Sequence, residues 1–159
     1  IRKIGVSVYK PEELIAIDEA YDIDIVQFPI NVLDQRFHRS GIISKMKEKG
    51  VELHGRSAFL QGLLLMPLEE VPDYFKSTKK ILRKYRNILT QHNLSSVQGA
   101  LCYINQIPEI DCLVLGVNNP KQLQSNFEDI KIIKDVNIDF SPFGINQESI
   151  LNPAKWNTL

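Results

Sequence analysis

The sequence predicts an α/β fold in which parallel strands are covered by helices. Three observations carry this expectation. Four apolar stretches of strand length recur, each is followed by a segment with helix signals, and the stretches are continuously apolar, as strands buried on both faces are. Two architectures satisfy the pattern, an open doubly wound sheet or part of a (β/α) barrel. The G-x-G-x-x-G fingerprint that often marks the first occurs nowhere.

The first stretch, "KIGVSVY" at 3–9, leads into "KPEELIAIDEAY", with Pro11 at a first-turn position and two glutamates near the positive helix end. The second, "DIVQFPI" at 24–30, passes through "NVLDQRF" to "SGIISKMKEKG", which Gly50 closes. After the third, "VELHGRS" at 51–57, comes "SAFLQGLLL", too apolar for an ordinary exposed loop. Two helical segments follow, "VPDYFKSTKKILRKYRNILTQHN" and "SSVQGALCYINQI", the latter with serines suited to an N-cap. The fourth stretch, "CLVLGV" at 112–117, meets "NNPKQLQSNFEDI", where Asn119 can cap and Pro120 can open the helix. Residues 1–159 form one partial domain on this reading. Four βα units occupy 1–134, and 135–159 make an irregular tail anchored by Trp156.

Nineteen acidic residues balance nineteen basic ones, so no overall field draws the chain to nucleic acid or to an anionic membrane. The longest apolar runs, such as "GLLLMPL", fall far short of the roughly 20 residues that span a bilayer, and no secretory signal opens the chain, so the cytoplasm is the expected compartment. Cys102 and Cys112 lack a second pair for a metal site and read as buried free thiols. Ile1 stands beside a strand-like stretch without an initiator Met, so an earlier start is expected.

Ligands of parallel α/β proteins sit at the carboxyl ends of the strands. The polar groups there are Ser7, Gln27, Arg56, Ser57, Asn118 and Asn119, with Gly116 beside them. Any strand end turns polar, but Gln27, enclosed by "DIV" and "FPI", is an amide whose burial would require partners and which suits an amide-bearing ligand. The helix start at Asn119 offers free N–H groups to a phosphate.

Together "GVSVYKPEEL", "DIVQFPINVLDQR", "GVELHGRSAFLQGLL" and "LVLGVNNPKQLQSNF" resemble, in order and separation, the C-terminal half of the aldo/keto reductase family, NAD(P)-dependent oxidoreductases built on a TIM barrel. The resemblance spans residues 3–127 and implies the last four units of a (β/α)8 barrel. It implies that Ser7 and Gln27 hold the nicotinamide carboxamide, with Val8 where an Asn is usual. Arg56 falls where many members stack a tyrosine on the nicotinamide. Ser57, Phe59, Leu60 and Gln61 match the loop against the pyrophosphate, with Gly62 permitting a sharp turn and "LLLMPL" packing beneath. Gly116, Val117 and Asn118 match the stretch beside the adenosine phosphate, and Asn126 a residue that meets the adenine. Gln122 stands where NADP-preferring members often carry Arg, which leaves NAD or NADP open.

The family's catalytic Asp, Tyr, Lys and His belong to earlier strands, so no catalytic residue and no metal ligand is assigned here. His38 and His92 read as solvated, and His54 as a satisfied core residue. The expected function is hydride transfer between a nicotinamide dinucleotide and a small carbonyl or alcohol substrate, with this chain alone inactive. The alternative is a non-catalytic nucleotide-binding or assembly half-barrel. Four units leave two sheet edges and a half-open apolar interior. An N-terminal half-barrel in the same chain, another polypeptide or a second copy is therefore expected to complete it.

Overall fold

The computed structural model describes residues 1–156; the last three residues of the expected tail, 157–159, lie outside them. Strands β1 (Gly5–Ser7), β2 (Ile25–Pro29), β3 (Glu52–Arg56) and β4 (Cys112–Leu113) form one sheet in the order β1-β2-β3-β4, every pair parallel. Between them run α1 (Pro11–Ala20), α2 (Arg36–Arg39), α3 (Ile42–Glu48), α4 (Lys79–Gln91) and α5 (Ser96–Asn105); α6 (Pro120–Ile132) and the four-residue α7 (Glu148–Leu151) follow β4. A doubly wound sheet reverses its strand order at a switch point. Here each strand neighbours the next in sequence without reversal, which is the order of a barrel segment.

Local chemistry explains the helix starts. Glu13 accepts from the Tyr9 N–H at 2.7 Å ahead of Pro11, and Ser95 and Gln98 cap each other across the first turn of α5. Gly50, at φ +80°, ends α3 in the left-handed conformation that favours glycine.

Strand alternation sends Val26, Phe28 and Leu53, all fully buried, toward the helix layer, where Phe28 stacks on Phe37 at 4.6 Å. Ser7, Gln27, Glu52, His54, Arg56 and Cys112 share the opposite, inner face. This corrects three expectations. The inner face is polar rather than apolar. His54 is no core residue but bonds Glu52 through Nε2 at 2.7 Å, and Glu52 also pairs with Lys3. Cys112 is exposed, because it lies on an edge strand and on the open face, whereas Cys102 is buried and its thiol is pushed up to about 11 by desolvation.

The edge strands are shorter than the apolar stretches that predicted them, because each finds a ladder partner on one side only. The expected burial on both faces does not hold for the sheet, because its inner face stands open and the central strands alternate in burial. The long segment before α4 divides into a 3₁₀ turn, Asp73–Thr78, and the helix itself. Trp156 anchors the tail: its indole donates to the Ile150 carbonyl at 3.0 Å and its ring meets Phe75 edge-on.

Candidate functional site

The site is built on the carboxyl ends of the strands, and a buried polar loop after β2 holds those ends together. Asn31 and Asp34 are fully buried and Gln35 nearly so. Asn31 accepts through Oδ1 from the N–H groups of Leu33 and Asp34, and its Nδ2 donates to the Ser57 carbonyl at 3.1 Å. Asp34 takes two bonds from Arg36, at 2.8 and 2.7 Å, and Arg36 Nη2 reaches the Tyr9 carbonyl at 3.3 Å. Gln35 donates to Val32 and Phe140 carbonyls, fastening the tail. Sequence reasoning passed over this set. The signal was present in "FPINVLDQR", where polar residues directly follow the most apolar strand and must be satisfied internally.

At the mouth of the sheet Ser7 and Gln27 are register partners, with Ser7 Oγ donating to Gln27 Oε1 at 3.4 Å. Gln27 is half-buried rather than enclosed, because its side chain points to the open inner face. Its amide nitrogen makes no protein hydrogen bond among the described residues and remains available to a ligand carbonyl. Arg56 crosses the end of β2: its guanidinium lies 4.4 Å from the centre of the Tyr9 ring and donates to the Val8 carbonyl and to Ser57 Oγ, each at 3.3 Å. No carboxylate among the described residues pairs with it.

The apolar loop at 57–66 has an unusual backbone. Ser57, Leu60 and Gln61 have φ of 61°, 46° and 52°, and Gly62 has 88°. Each non-glycine residue held there costs about 1 kcal/mol or more, so the surroundings must impose the conformation. They do so through the buried side chains of Ala58, Leu60, Leu63 and Leu64, through Asn31 at one end, and through Arg86, which donates to the Met66 carbonyl at 2.9 Å, at the other. The leucine run is the anchor of a strained loop. Leu60 thereby contributes backbone shape and core packing, and its side chain does not line the cleft beside the loop.

That cleft, of about 600 Å³, separates the loop from the junction of β4 and α6. Ser57, Phe59 and Gln61 form one wall; Gly116, Val117, Asn118, Gln122 and Asn126 form the other. Asn119 Oδ1 accepts from the Gln122 N–H at 3.0 Å while Gln122 Oε1 accepts from the Asn118 N–H at 2.8 Å, a reciprocal cap. Ser7, Gln27 and Arg56 stand apart at the strand mouth. A second cleft, about 550 Å³, lies between α2, α5 and the tail, and Gln35, His38 and Tyr103 are among its lining. None of the cofactor-site residues expected from the sequence lines it; His38, expected to be solvated, does. Among the described residues no group of three or more His, Cys, Asp or Glu gathers to hold a metal ion, and no helix is long and apolar enough to cross a membrane.

A family model described as the Aldo/keto reductase family matches residues 1–137. No curated protein sequence matches significantly. Among solved structures, the chain resembles the aldo-keto reductase AKR11C1 from Bacillus halodurans. In the apo form the TM-score is 0.69 at 20% identity, covering 94% of this chain and 49% of that one. The holo form gives 0.63 at 20% identity, with 82% and 45% covered. The thermostable aldo-keto reductase Tm1743, in complex with the inhibitor epalrestat, gives 0.56 at 21% identity, with 86% and 49% covered. The chain thus spans about half the length of the structures it matches, and its fold is that of a partial TIM barrel.

Proposed function

Because the chain belongs to the aldo/keto reductase family, we propose that it is the cofactor-binding half of an oxidoreductase that moves hydride between a nicotinamide dinucleotide and a small carbonyl or alcohol. The observation that carries this reading is the cleft between the strained loop and α6, on a sheet whose strand mouth carries the Ser7–Gln27 pair. Its size lies within the range of cofactor pockets, and its walls combine apolar surface with amide side chains.

The dinucleotide, when bound, supplies or accepts the hydride. Gln27 and Ser7 orient its carboxamide, since the glutamine amide offers both a donor and an acceptor. Arg56 covers the strand mouth with a planar cation. Ser57, Phe59 and Gln61, with the Leu60 backbone, flank the pyrophosphate, while Gly116, Val117, Asn118, Gln122 and Asn126 receive the adenosine end. No proton-transfer group is assigned to this chain, so alone it is inactive. In this reading residues 1–134 are the four barrel units, residues 135–159 are the tail, and the protein works in the cytoplasm.

Completion of the barrel by further βα units, in the same polypeptide or in trans, is supported by exposed apolar side chains at both edges. These are Ile4 and Ile15 at one and Leu123, Phe127 and Ile130 along α6 at the other. The test is hydride transfer by full-length protein carrying all eight units. If no carbonyl in an aldehyde and ketone panel oxidises NADH or NADPH, the catalytic reading fails.

The polar inner face favours a second reading, a half-barrel that binds nucleotide without turnover, because Glu52, His54 and Gln27 tolerate water where leucines would not. It predicts a stable dimer that changes dinucleotide fluorescence and leaves the reduced cofactor unconsumed.

A further inference from the structure

We infer that the outer face of α4 is a docking surface for an acidic segment of a partner protein, one that carries an apolar side chain between carboxylates. The surface is separate from the dinucleotide cleft and does not depend on the cofactor reading. Charge is balanced over the whole chain but not along it. Between Asp73 and Glu109 the sequence has six Lys or Arg residues, all at 76–86, and no Asp or Glu. Lys76, Lys80, Arg83 and Lys84 are exposed along one side of the 3₁₀ turn and α4, while Leu82, Tyr85 and Leu89 face the core. None of these four basic residues pairs with a carboxylate among the described residues, whereas Lys3, Lys10, Lys45, Lys47, Lys49 and Lys155 all do. Like charges four positions apart, as Lys76, Lys80 and Lys84 are, repel one another, and an anionic partner relieves that repulsion.

A slot beside the stripe supplies the partner's second feature. It measures about 290 Å³, and its lining joins Lys80 and Lys84 to Ile81 on α4 and to Pro142 and Ile145 of the tail. Pockets for whole small molecules usually start at about 300 Å³, so the slot suits a single inserted side chain. An apolar side chain seated against the two isoleucines brings carboxylates on either side of it within reach of the two lysines. Other polyanions fit less well. No large apolar side chain of α4 or of the turn before it is exposed, so the helix has nothing to insert into a lipid surface. The stripe likewise exposes no Phe, Tyr or Trp ring on which a nucleic-acid base could stack. Because α4 lies between β3 and β4, within the run of four units, its outer face belongs to neither sheet edge and stays open when the barrel is completed.

The test is fluorescence anisotropy of a labelled peptide, one leucine between two pairs of glutamates, titrated with the full-length protein. The expected result is saturable binding that weakens as salt is raised. It should also weaken about tenfold in the double variant Lys80→Glu, Lys84→Glu, and about fivefold when serine replaces the peptide's leucine. Lys134→Glu, which reverses an exposed charge off the stripe, should change the affinity by less than about twofold. Both lysines of the double variant are exposed and unpaired, so its melting temperature should match the wild type's. The comparison of leucine and serine peptides uses the wild type alone and is decisive whatever the variant's stability. No binding, equal binding of the two peptides, or an unchanged affinity in the folded double variant overturns the inference. Tighter binding of phosphatidylserine vesicles or of an oligothymidine strand overturns it too, and assigns the stripe to lipid or to nucleic acid.

Discussion

The Nδ2 of Asn31 donates to the Ser57 carbonyl at 3.1 Å, so a wholly buried side chain after β2 pins the first left-handed residue of the loop after β3. Replacing Asn31 by Ala leaves the Ser57 carbonyl and the Leu33 and Asp34 N–H groups without this partner. A loss of about 2–3 kcal/mol is expected, the usual cost of buried polar groups left unpaired. Urea denaturation of the full-length protein checks it, and a loss under about 0.5 kcal/mol would show that the loop does not depend on this bond.

Arg56, which pairs with no carboxylate among the described residues, places a cation at the mouth where the nicotinamide is proposed to lie. It should disfavour the cationic oxidised ring relative to the neutral reduced one. Arg56→Gln is expected to lower the ratio of reduced to oxidised cofactor affinity by about tenfold, or ~1.4 kcal/mol. Calorimetric titration with both redox states measures it; an unchanged ratio would reduce Arg56 to a clamp on Tyr9 and the Val8 carbonyl.

Gly62 and Gly116 border the same cleft but differ in backbone. Gly62 has φ +88° and Gly116 no such constraint, while a Cβ at either meets nothing within 4 Å. Gly62→Ala should therefore destabilise by about 1 kcal/mol through backbone strain alone, and Gly116→Ala should fall within about 0.5 kcal/mol of wild type. Thermal melts of the pair decide it, since equal losses would point to packing rather than φ.

Asp111 joins β4 to the sheet by accepting the Leu53 N–H at 2.8 Å and pairing with Lys47. The Lys47 bond first, and the Leu53 bond second, hold its carboxyl below the ordinary 3.8. A depressed folded value means that its stabilisation is complete above the unfolded value and is lost as pH falls through the folded one. Melting temperature should drop as the pH falls below about 4, and Asp111→Asn should remove part of that slope. An identical acid profile in the variant would assign the slope to other carboxylates.

What could be read from the sequence was local. Pro11, Gly50, Ser95 and Asn119 punctuate helices through neighbours a few residues away, and the recurring apolar stretches of strand length need no tertiary partner to be recognised. The motif order likewise led to both walls of the cleft. The sequence did not reveal that the inner face would be polar, because Glu52, His54 and Gln27 face one another only once β1, β2 and β3 are in register.

Sequence by itself determined the α/β class and the four strand–helix repeats, because apolar runs and capping act over a few positions of chain, and the family resemblance pointed to residues on both walls of the cleft. Tertiary structure decided how the site is held. Asn31 meets Ser57 across 26 residues, Arg56 meets Val8 across 48, and Gln35 meets Phe140 across 105. Such bonds have no period or spacing to betray them. They form only after burial of the strands has brought those positions together and made an unpaired polar group too costly to leave.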